Sequence, residues 1–484
     1  DFSMLRILSF TIIIFSLFIF SSTIITRTDK NDSINEALNW AEVTSTRLVH
    51  CYYNEFIGLW IHELEWQSGN TLESLANFLY LIDSPLKYVF HHTYIRTGIF
   101  AGGDCYDDHQ WFLLAWMQIY NVDGNIKYLH RAALIYDIIS ERAWSTKSCQ
   151  GGIQWCPTKD YKNAITNELF LLSSMRLHPY ATLLGKPLTY YLDWALKEWQ
   201  WFQNSGMIND DYLINDGLSS TNIINDNKCV NNNQTTWTYN QGVILTGLAL
   251  LYNATRNSTL IDIAQNIADS TIERLTYSNG ILKEPCEPTC DNDQKLFKGI
   301  FARHLGYLLP YLTDTYHIQK YTLFLQKNAI SLLSTNRCEL DGLFDLFWNN
   351  YSSNNCNLSR NSATTSSAFD LFISVAKTKQ QIISSNWILL GLGNCMDDKN
   401  LSMANFYKNN VNETLCRTTA NNDNGSIAYD YQLKCNGIGF CRIRTLSDRH
   451  QTPDRWTYED GFTHYVTRTN KVPLTNCYLK TNLT

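Results

Sequence analysis

Amphipathic helical segments repeat along residues 34–377 of this chain, separated by clusters of Gly, Asn, Pro and Asp, with few alternating strand patterns. Within 190–202 the apolar residues recur at helical spacing, namely Leu192, Ala195, Trp199 and Phe202. The charged residues are expected on the other face, namely Asp193, Lys197 and Glu198. Similar segments begin near Asn35, Leu72, His109, Lys127, Thr166, Gly242, Leu260, Phe297, Gln319 and Thr364. Allowing for one missed segment, the pattern predicts about a dozen helices, a number that pairs of helices closing into a toroid account for.

The pattern changes after Lys379, where short apolar runs alternate with Asn- and Ser-rich sequence. Five cysteines fall in this part of the chain, namely Cys395, Cys416, Cys435, Cys441 and Cys477. We therefore expect a helical domain at 34–378 and a separate, disulfide-stapled module at 385–484.

The charge balance argues against nucleic acid as a partner. The net charge is −6, charged residues make up 17% of the chain, and no basic stripe is present to neutralise phosphates. Aromatic residues reach 13%, which fits sugar stacking and fits equally a large core filled by aromatic side chains.

The amino-terminal sequence predicts export. An apolar run from Leu5 to Ile25 carries a single basic residue, Arg6, at its start, so residues 1–27 are predicted to be a signal peptide. Because the run is long and lacks a clean cleavage site, an uncleaved signal anchor is the alternative. Fourteen cysteines agree with an oxidising compartment, and we expect a secreted protein. Acceptor sequences for N-glycosylation occur at Asn31, Asn233, Asn253, Asn257, Asn350, Asn357, Asn400, Asn412, Asn424 and Asn482.

Cysteine spacing favours disulfides over metal sites. Local pairs are expected for Cys149 with Cys156, for Cys286 with Cys290, and for Cys338 with Cys356. The histidines form no metal-like cluster, and core or surface roles are expected for His62, His109 and His304.

Two adjacent aspartates, Asp107 and Asp108, stand at the start of an aromatic-rich helical segment, GGDCYDDHQWFLLAWMQIY. Retaining glycosidases hold two carboxyl groups about 5 to 5.5 Å apart, one ionised as nucleophile and one protonated as acid/base. Neighbouring Cα atoms lie about 3.8 Å apart, so adjacent side chains can meet that distance, and their proximity separates the two pKa values. The alternative is that they serve only as first-turn residues of a helix.

Three further motifs offer groups for binding sugar hydroxyls. The candidates are Trp155, Asn163 and Asn167 in GGIQWCPTKDYKNAITNE, Asp216 in NDGL, and Trp237, Tyr239, Asn240 and Gln241 in WTYNQG. Helix capping and turn formation are the structural alternatives for several of them. Glu168 and Lys298 are left open between the cleft and an exposed helix surface.

These motifs, together with FKGIFARHLGYLLPYL at 297–312 and a similar first block at 59–79, closely resemble glycoside hydrolase family 76, which contains endo-α-1,6-mannanases. The resemblance spans about 40–377. It implies an (α/α)6 toroid, a retaining mechanism, and a cleft crossed by the loops between helices. By this resemblance Asp107 is the nucleophile and Asp108 the acid/base, and α-1,6-mannan is the substrate, with neither a cofactor nor a metal.

The carboxy-terminal sequence weakly resembles a PAN/apple module, with Cys395, Cys416, Cys435 and Cys441 around AYDY. The cysteine usually found soon after the one matching Cys416 is absent, so one expected disulfide is in doubt. A glycan or protein ligand and an inert stabilising role are both open for this module. A membrane is a partner only if the amino-terminal segment is an uncleaved anchor.

Two alternative functions stay open beside hydrolysis of mannan. One is a transglycosidase of the same family that uses the same carboxylates to pass a glycan to a sugar acceptor. The other is a catalytically silent glycan-binding protein, against which the intact pair of Asp107 and Asp108 argues.

Overall fold

The fold is taken from a computed structural model of the chain. It describes residues 37–63, 65–99, 101–220, 227–335, 343–349 and 360–378, together with the backbone of eight strands between 387 and 480. The predicted signal segment at 1–27 and the pair Cys338 with Cys356 lie outside these residues. Within the described part of the chain, no helix is both long enough and apolar enough to cross a membrane.

Twelve α-helices make up most of the part described between 37 and 378, which confirms the expected all-helical domain. They are α1 (37–47), α2 (Trp66–Leu81), α3 (Tyr88–Arg96), α4 (Tyr106–Asp123), α5 (Ile126–Arg142), α6 (Ala164–Leu177), α7 (Tyr190–Asn204), α8 (Thr238–Thr255), α9 (Thr259–Arg274), α10 (Phe297–Leu308), α11 (Thr315–Thr335) and α12 (Ser362–Lys377). The helix missed by the sequence pattern is α3, whose nine residues are too few to show a clear period. The start of α2 was placed six residues late, at Leu72, because its polar first turn carries no apolar stripe.

The even-numbered helices form a closed inner ring. Each packs against the next, from α2 through α4, α6, α8 and α10 to α12, and α12 packs back against α2. Almost every residue of the inner helices is buried, whereas α5, α7 and α9 on the outside bury only one face. This arrangement confirms the predicted (α/α)6 toroid.

Glycines permit close approach within the inner ring. A Cβ on Gly242 of α8 would lie 2.7 Å from the Cα of Phe301 on α10, and one on Gly299 of α10 would lie 2.5 Å from the Cα of Ser367 on α12. Since real Cβ atoms do not tolerate such distances, a larger residue at either position would push two inner helices apart.

Helix α7 corrects one prediction from the apolar pattern. Ala195, Trp199 and Phe202 are buried as expected, and Leu192 is partly buried. Glu198, expected on the opposite face, is also fully buried. Burial raises the pKa of this carboxyl well above its ordinary value, and the charges of Lys162 and Lys197 oppose the rise.

The disulfides also differ from the local pairs expected. Cys286 pairs with Cys290 as predicted. Cys149 instead pairs with Cys229, and Cys156 pairs with Cys105, 51 residues earlier. The prediction of a Cys149–Cys156 pair was wrong because the short loop between them folds back onto the start of α4, which sequence spacing does not reveal.

Short strands complete the described backbone. Two hairpin-like pairs lie in the helical domain, β1 (Tyr53–Asn54) with β2 (Leu59–Trp60) and β3 (Leu218–Ser220) with β4 (Cys229–Asn231). The other strands are β5 (Trp387–Leu392), β6 (Cys395–Met396), β7 (Asn405–Val411), β8 (Ser426–Gln432), β9 (Gly439–Thr445), β10 (Thr457–Glu459), β11 (Arg468–Thr469) and β12 (Thr475–Lys480). Six of them form one antiparallel sheet in the order β10-β7-β9-β8-β12-β5, and β11 pairs with β6. The predicted disulfides of this module lie outside the described side chains.

Candidate active site

The two aspartates lie in the first turn of α4, at the end of the toroid where the inner helices begin. Cys105 is the residue before the helix, and its backbone N–H donates to Asp108 Oδ2 at 3.0 Å. This bond satisfies one of the donors that a helix start leaves unpaired, and the positive end of the helix dipole favours negative charge here.

Two glycines let the preceding chain pack directly against Asp108. A Cβ on Gly102 would lie 2.2 Å from the Asp108 carbonyl oxygen. A Cβ on Gly103 would lie 2.5 Å from Asp108 Oδ2, and its φ of +133° is one that side-chain-bearing residues rarely adopt. The GG dipeptide therefore helps to fix the Asp108 carboxyl group.

Asp107 is buried and surrounded by hydrogen-bond donors. Its Oδ1 accepts from the Asp108 backbone N–H at 3.2 Å, its Oδ2 accepts from Trp155 Nε1 at 3.0 Å, and the side-chain amide of Asn163 also donates to it. Burial raises the pKa of Asp107, and these donors oppose the rise by stabilising the ionised form.

Asp108 is more exposed and is surrounded by acidic groups. Burial raises its pKa, the neighbouring charges of Asp107, Glu65 and Asp293 raise it further, and the Cys105 N–H lowers it. Carboxylate oxygens of Asp107 and Asp108 lie within 4.8 Å of each other. Both pKa values are therefore raised, that of Asp107 to about 7 and that of Asp108 to about 8, and the surroundings favour Asp107 as the first of the pair to ionise.

The same two carboxylates and Cys105 Sγ are the one group in the described part of the chain whose spacing suits a metal ion. Cys105 is disulfide-bonded to Cys156, so no thiolate is available as the third ligand. The remaining carboxylate pair suits proton transfer and nucleophilic attack better than metal binding.

Trp155 reaches Asp107 because its loop is tied to α4. The Cys105–Cys156 disulfide and a hydrogen bond from Tyr106 N to Trp155 O, at 2.8 Å, hold the loop in place. Lys159 Nζ lies 4.2 Å over the indole ring, and the ring of Tyr161 packs edge-on against it. The structure makes Trp155 a donor to Asp107, with Lys159 over one face of its ring, and the predicted stacking on a sugar stays a prediction.

Asn163 and Asn167 differ in what they contact. Asn163 precedes α6, where its Oδ1 accepts from Thr166 N at 3.4 Å, and it also reaches Asp107. Asn167 is fully buried, and its amide bonds the backbone of Ile153 in both directions and the carbonyl oxygen of Asn163. Instead of the predicted sugar contact, Asn167 fixes the loop that carries Trp155.

Asp216 lies half-buried beside this loop. Its Oδ2 accepts from the Tyr161 hydroxyl at 2.5 Å, and Asn232 Nδ2 donates to the same hydroxyl at 2.9 Å. The Asp216 carbonyl oxygen accepts from Ala164 N, the first residue of α6. These bonds fix Asp216 beside the loop that carries Trp155 and Tyr161, and its role in a cleft stays a prediction.

The WTYNQG motif divides between the cleft and the interior. Trp237 and Tyr239 are partly buried and pack on Phe297, Tyr239 in a parallel stack with ring centres 3.8 Å apart. Gln241 is fully buried and bonds the backbone of Ile214 and Trp237. The predicted sugar contact of Gln241 is therefore corrected to a role in fixing the loop before α8.

Asn240, the remaining residue of that motif, is fully buried. Neither end of its amide has a hydrogen-bond partner among the described residues. A sugar in the cleft would not touch Asn240 in this conformation, which differs from the prediction.

Sequence reasoning missed several residues around the pair. Tyr161, Trp66, Gln67, Asp293 and Phe297 all lie at this end of the toroid. Except for Asp293, they fall within the sequence blocks that carry the family resemblance, but nothing in those blocks distinguished them from core residues.

The structure shows the burial and the contacts of Lys298 and of the three histidines considered above. Lys298 is buried, where it pairs with Glu287 and donates to the Leu346 carbonyl oxygen at 2.7 Å, so it is neither the solvated charge nor the cleft residue considered. His304 is buried and bonds Thr246 at 2.7 Å, and His62 is exposed. His109 is buried in α4.

Replacing Glu168 by Gln should change how stability depends on pH. Glu168 is fully buried, and neither carboxylate oxygen has a hydrogen-bond partner among the described residues. Burial raises its pKa well above the ordinary value, so the folded protein loses stability as pH rises above the unfolded pKa. We expect the free energy of unfolding of Glu168→Gln to exceed that of the wild type by about 1–3 kcal/mol near pH 8, and this difference to vanish near pH 4.

Urea unfolding across that pH range measures the gain, and Glu273→Gln, on an exposed position of α9, is the matched control. An equal stability difference for Glu168→Gln at every pH would show that Glu168 does not titrate as its environment implies.

Comparisons with known proteins place this chain in a family. The sequence profile of glycosyl hydrolase family 76 matches residues 92–343, just over half of the chain. A putative mannan endo-1,6-alpha-mannosidase of Schizosaccharomyces pombe is 34% identical over 206 residues, which are 40% of this chain and 44% of that protein. A mannan endo-1,6-alpha-mannosidase of Candida albicans is 29% identical over 196 residues, covering 38% and 41% of the two chains. The chain thus spans less than half the length of these relatives.

Solved structures share the fold. The GH76A alpha-1,6-mannanase from Salegentibacter sp. HEL1_6 matches with a TM-score of 0.62 at 21% identity, covering 71% of this chain and all of that one. An inactive variant of that enzyme, in which two consecutive aspartates are replaced by alanine, is bound to alpha-1,6-mannotetrose and matches with a TM-score of 0.61 at 22% identity, covering 71% and 99% of the two chains. With the toroid, the aspartate pair and the profile match in agreement, this chain belongs to glycosyl hydrolase family 76.

Proposed function

We propose that this protein is a retaining, endo-acting glycoside hydrolase that cleaves α-1,6-mannosidic bonds in mannan backbones, with Asp107 as nucleophile and Asp108 as acid/base. The observation that carries the proposal is the contrast between two adjacent carboxyl groups. Three donors surround Asp107, and acidic groups surround Asp108. Their oxygens, within 4.8 Å of each other, fit the short separation of retaining enzymes better than the roughly 6.5–9.5 Å of inverting ones.

The named relatives support the substrate. The Candida albicans relative is named a mannan endo-1,6-alpha-mannosidase, and the Schizosaccharomyces pombe relative a putative one. The Salegentibacter enzyme is an alpha-1,6-mannanase. In the inactive variant of that enzyme two consecutive aspartates are replaced, which agrees with a catalytic role for an adjacent pair.

The proposed reaction is a double displacement. Asp107 attacks the anomeric carbon of an α-mannosyl unit while Asp108 gives its proton to the departing O6, which breaks the glycosidic bond and forms a β-mannosyl ester on Asp107. Asp108, now ionised, takes a proton from water, whose oxygen attacks the anomeric carbon and releases the α-product. At the end of the cycle Asp107 is again ionised and Asp108 is again protonated.

Positioning of Asp107 depends on Trp155 and Asn163. Their N–H groups fix both the direction and the charge of the carboxylate, so that it does not compete with Asp108 for the proton. We assign substrate contacts to Asp216, Trp237 and Tyr239, whose partly buried side chains lie at the same end of the toroid. No cofactor takes part in this scheme.

Export and the carboxy-terminal module belong to the same proposal. A mannan backbone is an extracellular polymer, so we propose that residues 1–27 direct secretion and that the module at 385–484 is separate from the catalytic domain. Microscopy of the full chain carrying a carboxy-terminal tag, with and without residues 1–27, tests the first of these.

Product analysis on linear α-1,6-mannan tests the activity. We expect mannooligosaccharides of several lengths from the start, released in the α-configuration when the reaction is followed by proton NMR before mutarotation. Release of mannose alone would contradict endo action, and β-configured products would contradict retention. Longer transfer products that increase with added mannooligosaccharide would favour the transglycosidase alternative.

A further inference from the structure

Tyr161 lies at the active-site end of the toroid, and the reaction scheme gives it no role. Its hydroxyl donates to Asp216 Oδ2 at 2.5 Å and accepts from Asn232 Nδ2 at 2.9 Å. A hydroxyl has one proton, so the amide donor on one side directs that proton to the carboxylate on the other. Burial and the charge of Asp216 raise the pKa of Tyr161, so the hydroxyl keeps the proton that it donates. A Cβ on Gly217 would lie 2.5 Å from the hydroxyl oxygen, and the absence of a side chain there lets Tyr161 pack directly against the turn that carries Asp216.

Tyr161 also belongs to the loop that holds Asp107. Its ring packs edge-on against that of Trp155, with centres 6.0 Å apart, and its carbonyl oxygen accepts from Trp155 N at 2.9 Å. Trp155 Nε1 in turn donates to Asp107 Oδ2 at 3.0 Å. One tyrosine therefore contacts both Asp216 and the residue that bonds Asp107.

Backbone pairing places Asp216 on the segment next to Asp107. Asn163, whose side-chain amide donates to Asp107, pairs with Gly217 in an antiparallel bridge. The Asp216 carbonyl oxygen accepts from Ala164 N at 2.8 Å. The turn that carries Asp216 is thus paired with the start of α6, the point from which Asn163 reaches Asp107.

We propose that Tyr161 is a positioning residue that orients the Asp216 carboxylate towards the mannosyl unit attacked by Asp107. The Tyr161 hydroxyl occupies Oδ2 of Asp216, so Oδ1 is the oxygen that accepts from a sugar hydroxyl. This inference rests on the proposed function, in which Asp216 contacts the substrate. It adds the group that holds Asp216 for that contact and the sugar unit at which the contact is made.

A carboxylate that is held in place binds a sugar hydroxyl better than a mobile one. Hydrogen bonds with an ionised acceptor are roughly twice as strong as neutral ones, so the orientation of Asp216 has a large effect on binding. A substrate that has to order a mobile side chain loses part of its binding free energy. Tyr161 avoids this loss because it fixes Asp216 before the substrate arrives.

The test compares kcat/KM for an α-1,6-mannooligosaccharide in Tyr161→Phe, in Asp216→Ala and in the variant that carries both changes. Phenylalanine keeps the ring on Trp155 and removes only the hydroxyl, and we expect kcat/KM to fall roughly 5–30-fold. In the Asp216→Ala background the same change should lower kcat/KM less than about twofold, because the group that Tyr161 orients is already gone. The pH limits of kcat/KM should stay unchanged in Tyr161→Phe, since Trp155 still donates to Asp107.

Two further variants support this comparison. Asn232→Ala leaves the Tyr161 hydroxyl free to turn, so it should lower kcat/KM in the same direction but by less, and only when Asp216 is present. Tyr180→Phe is the matched control, because the Tyr180 hydroxyl donates to Asn121 Oδ1 at 2.9 Å at the opposite end of the toroid. It should keep wild-type activity.

Equal losses for Tyr161→Phe with and without Asp216 would overturn the positioning role while leaving the proposed function standing. A shift of the acidic pH limit in Tyr161→Phe would contradict it too, because it would place the action of Tyr161 on the nucleophile. Absence of turnover by the wild type on any α-1,6-mannooligosaccharide would overturn the proposed function itself.

Discussion

Asp107→Asn and Asp108→Asn should both abolish measurable hydrolysis of α-1,6-mannan, yet they should differ on an aryl α-mannoside with a good leaving group. Asp108 donates a proton that such a leaving group does not need, so Asp108→Asn should still form the mannosyl enzyme. Loss of general acid/base catalysis costs roughly 10²–10⁴-fold on the natural substrate. Asp107→Asn lacks the nucleophile and should stay inactive on both substrates.

Added azide sharpens this distinction. In Asp108→Asn, azide should attack the mannosyl enzyme without needing base catalysis and give α-mannosyl azide, detected by NMR. In Asp107→Ala, whose shortened side chain leaves room for the anion where the carboxylate was, azide should attack the aryl α-mannoside directly and give the β-azide instead. Asp104→Asn, an exposed change in the same motif, is the matched control and should keep wild-type activity. The opposite pattern of azides would exchange the two assigned roles.

The position of the aspartate pair was predictable because its signal is local. Adjacent aspartates before an apolar helix lie within one turn of backbone, and the structure places Asp107 and Asp108 in that turn. The groups that make the pKa values of the two aspartates differ come from distant parts of the chain. Trp155 lies 48 residues from Asp107 along the chain, and Asp293 lies on the loop before α10.

Polar residues near the cleft were harder to assign than the carboxylates. Asn167 and Gln241 carry amides that could bind a sugar as readily as a backbone, and the sequence does not show which partner is present. In the structure, both use their amides to close loops, on Ile153 and Ile214 respectively. A buried loop requires its backbone groups to be paired, and amide side chains at helix starts meet that requirement.

Helix number and spacing predicted a helical domain, and the family resemblance implied the toroid, but neither showed which side chains close its ring. The first and last inner helices, α2 and α12, meet through side chains nearly three hundred residues apart, with the Thr71 hydroxyl donating to that of Ser366. Arg303 on α10 lies at this junction, where it donates to Asp370 on α12 and to Glu73, Asn70 and Ser74 on α2. Four partners on two helices use most of the donors of one guanidinium group.

Arg303→Met should therefore be the most destabilising of the substitutions considered. Arg303 is 2% exposed and Asp370 1%, so removing the cation leaves buried carboxylates without their partner, at a cost of about 3–5 kcal/mol. Burial raises the pKa of Asp370 and Arg303 opposes that rise, so in the variant the pKa of Asp370 should rise further. Since a raised pKa in the folded state means stability lost as pH increases, the deficit should be smaller near pH 5 than near pH 8.

The matched control for Arg303→Met is Lys186→Met, which breaks a 2.9 Å ion pair with Asp137 whose side chains are 28% and 27% exposed. That change should cost about 1 kcal/mol or less and should show weaker pH dependence. Urea unfolding of both variants at the two pH values measures the difference. Equal losses for the two variants would mean that the buried junction contributes no more than a surface pair, and that apolar packing alone closes the ring between α2 and α12.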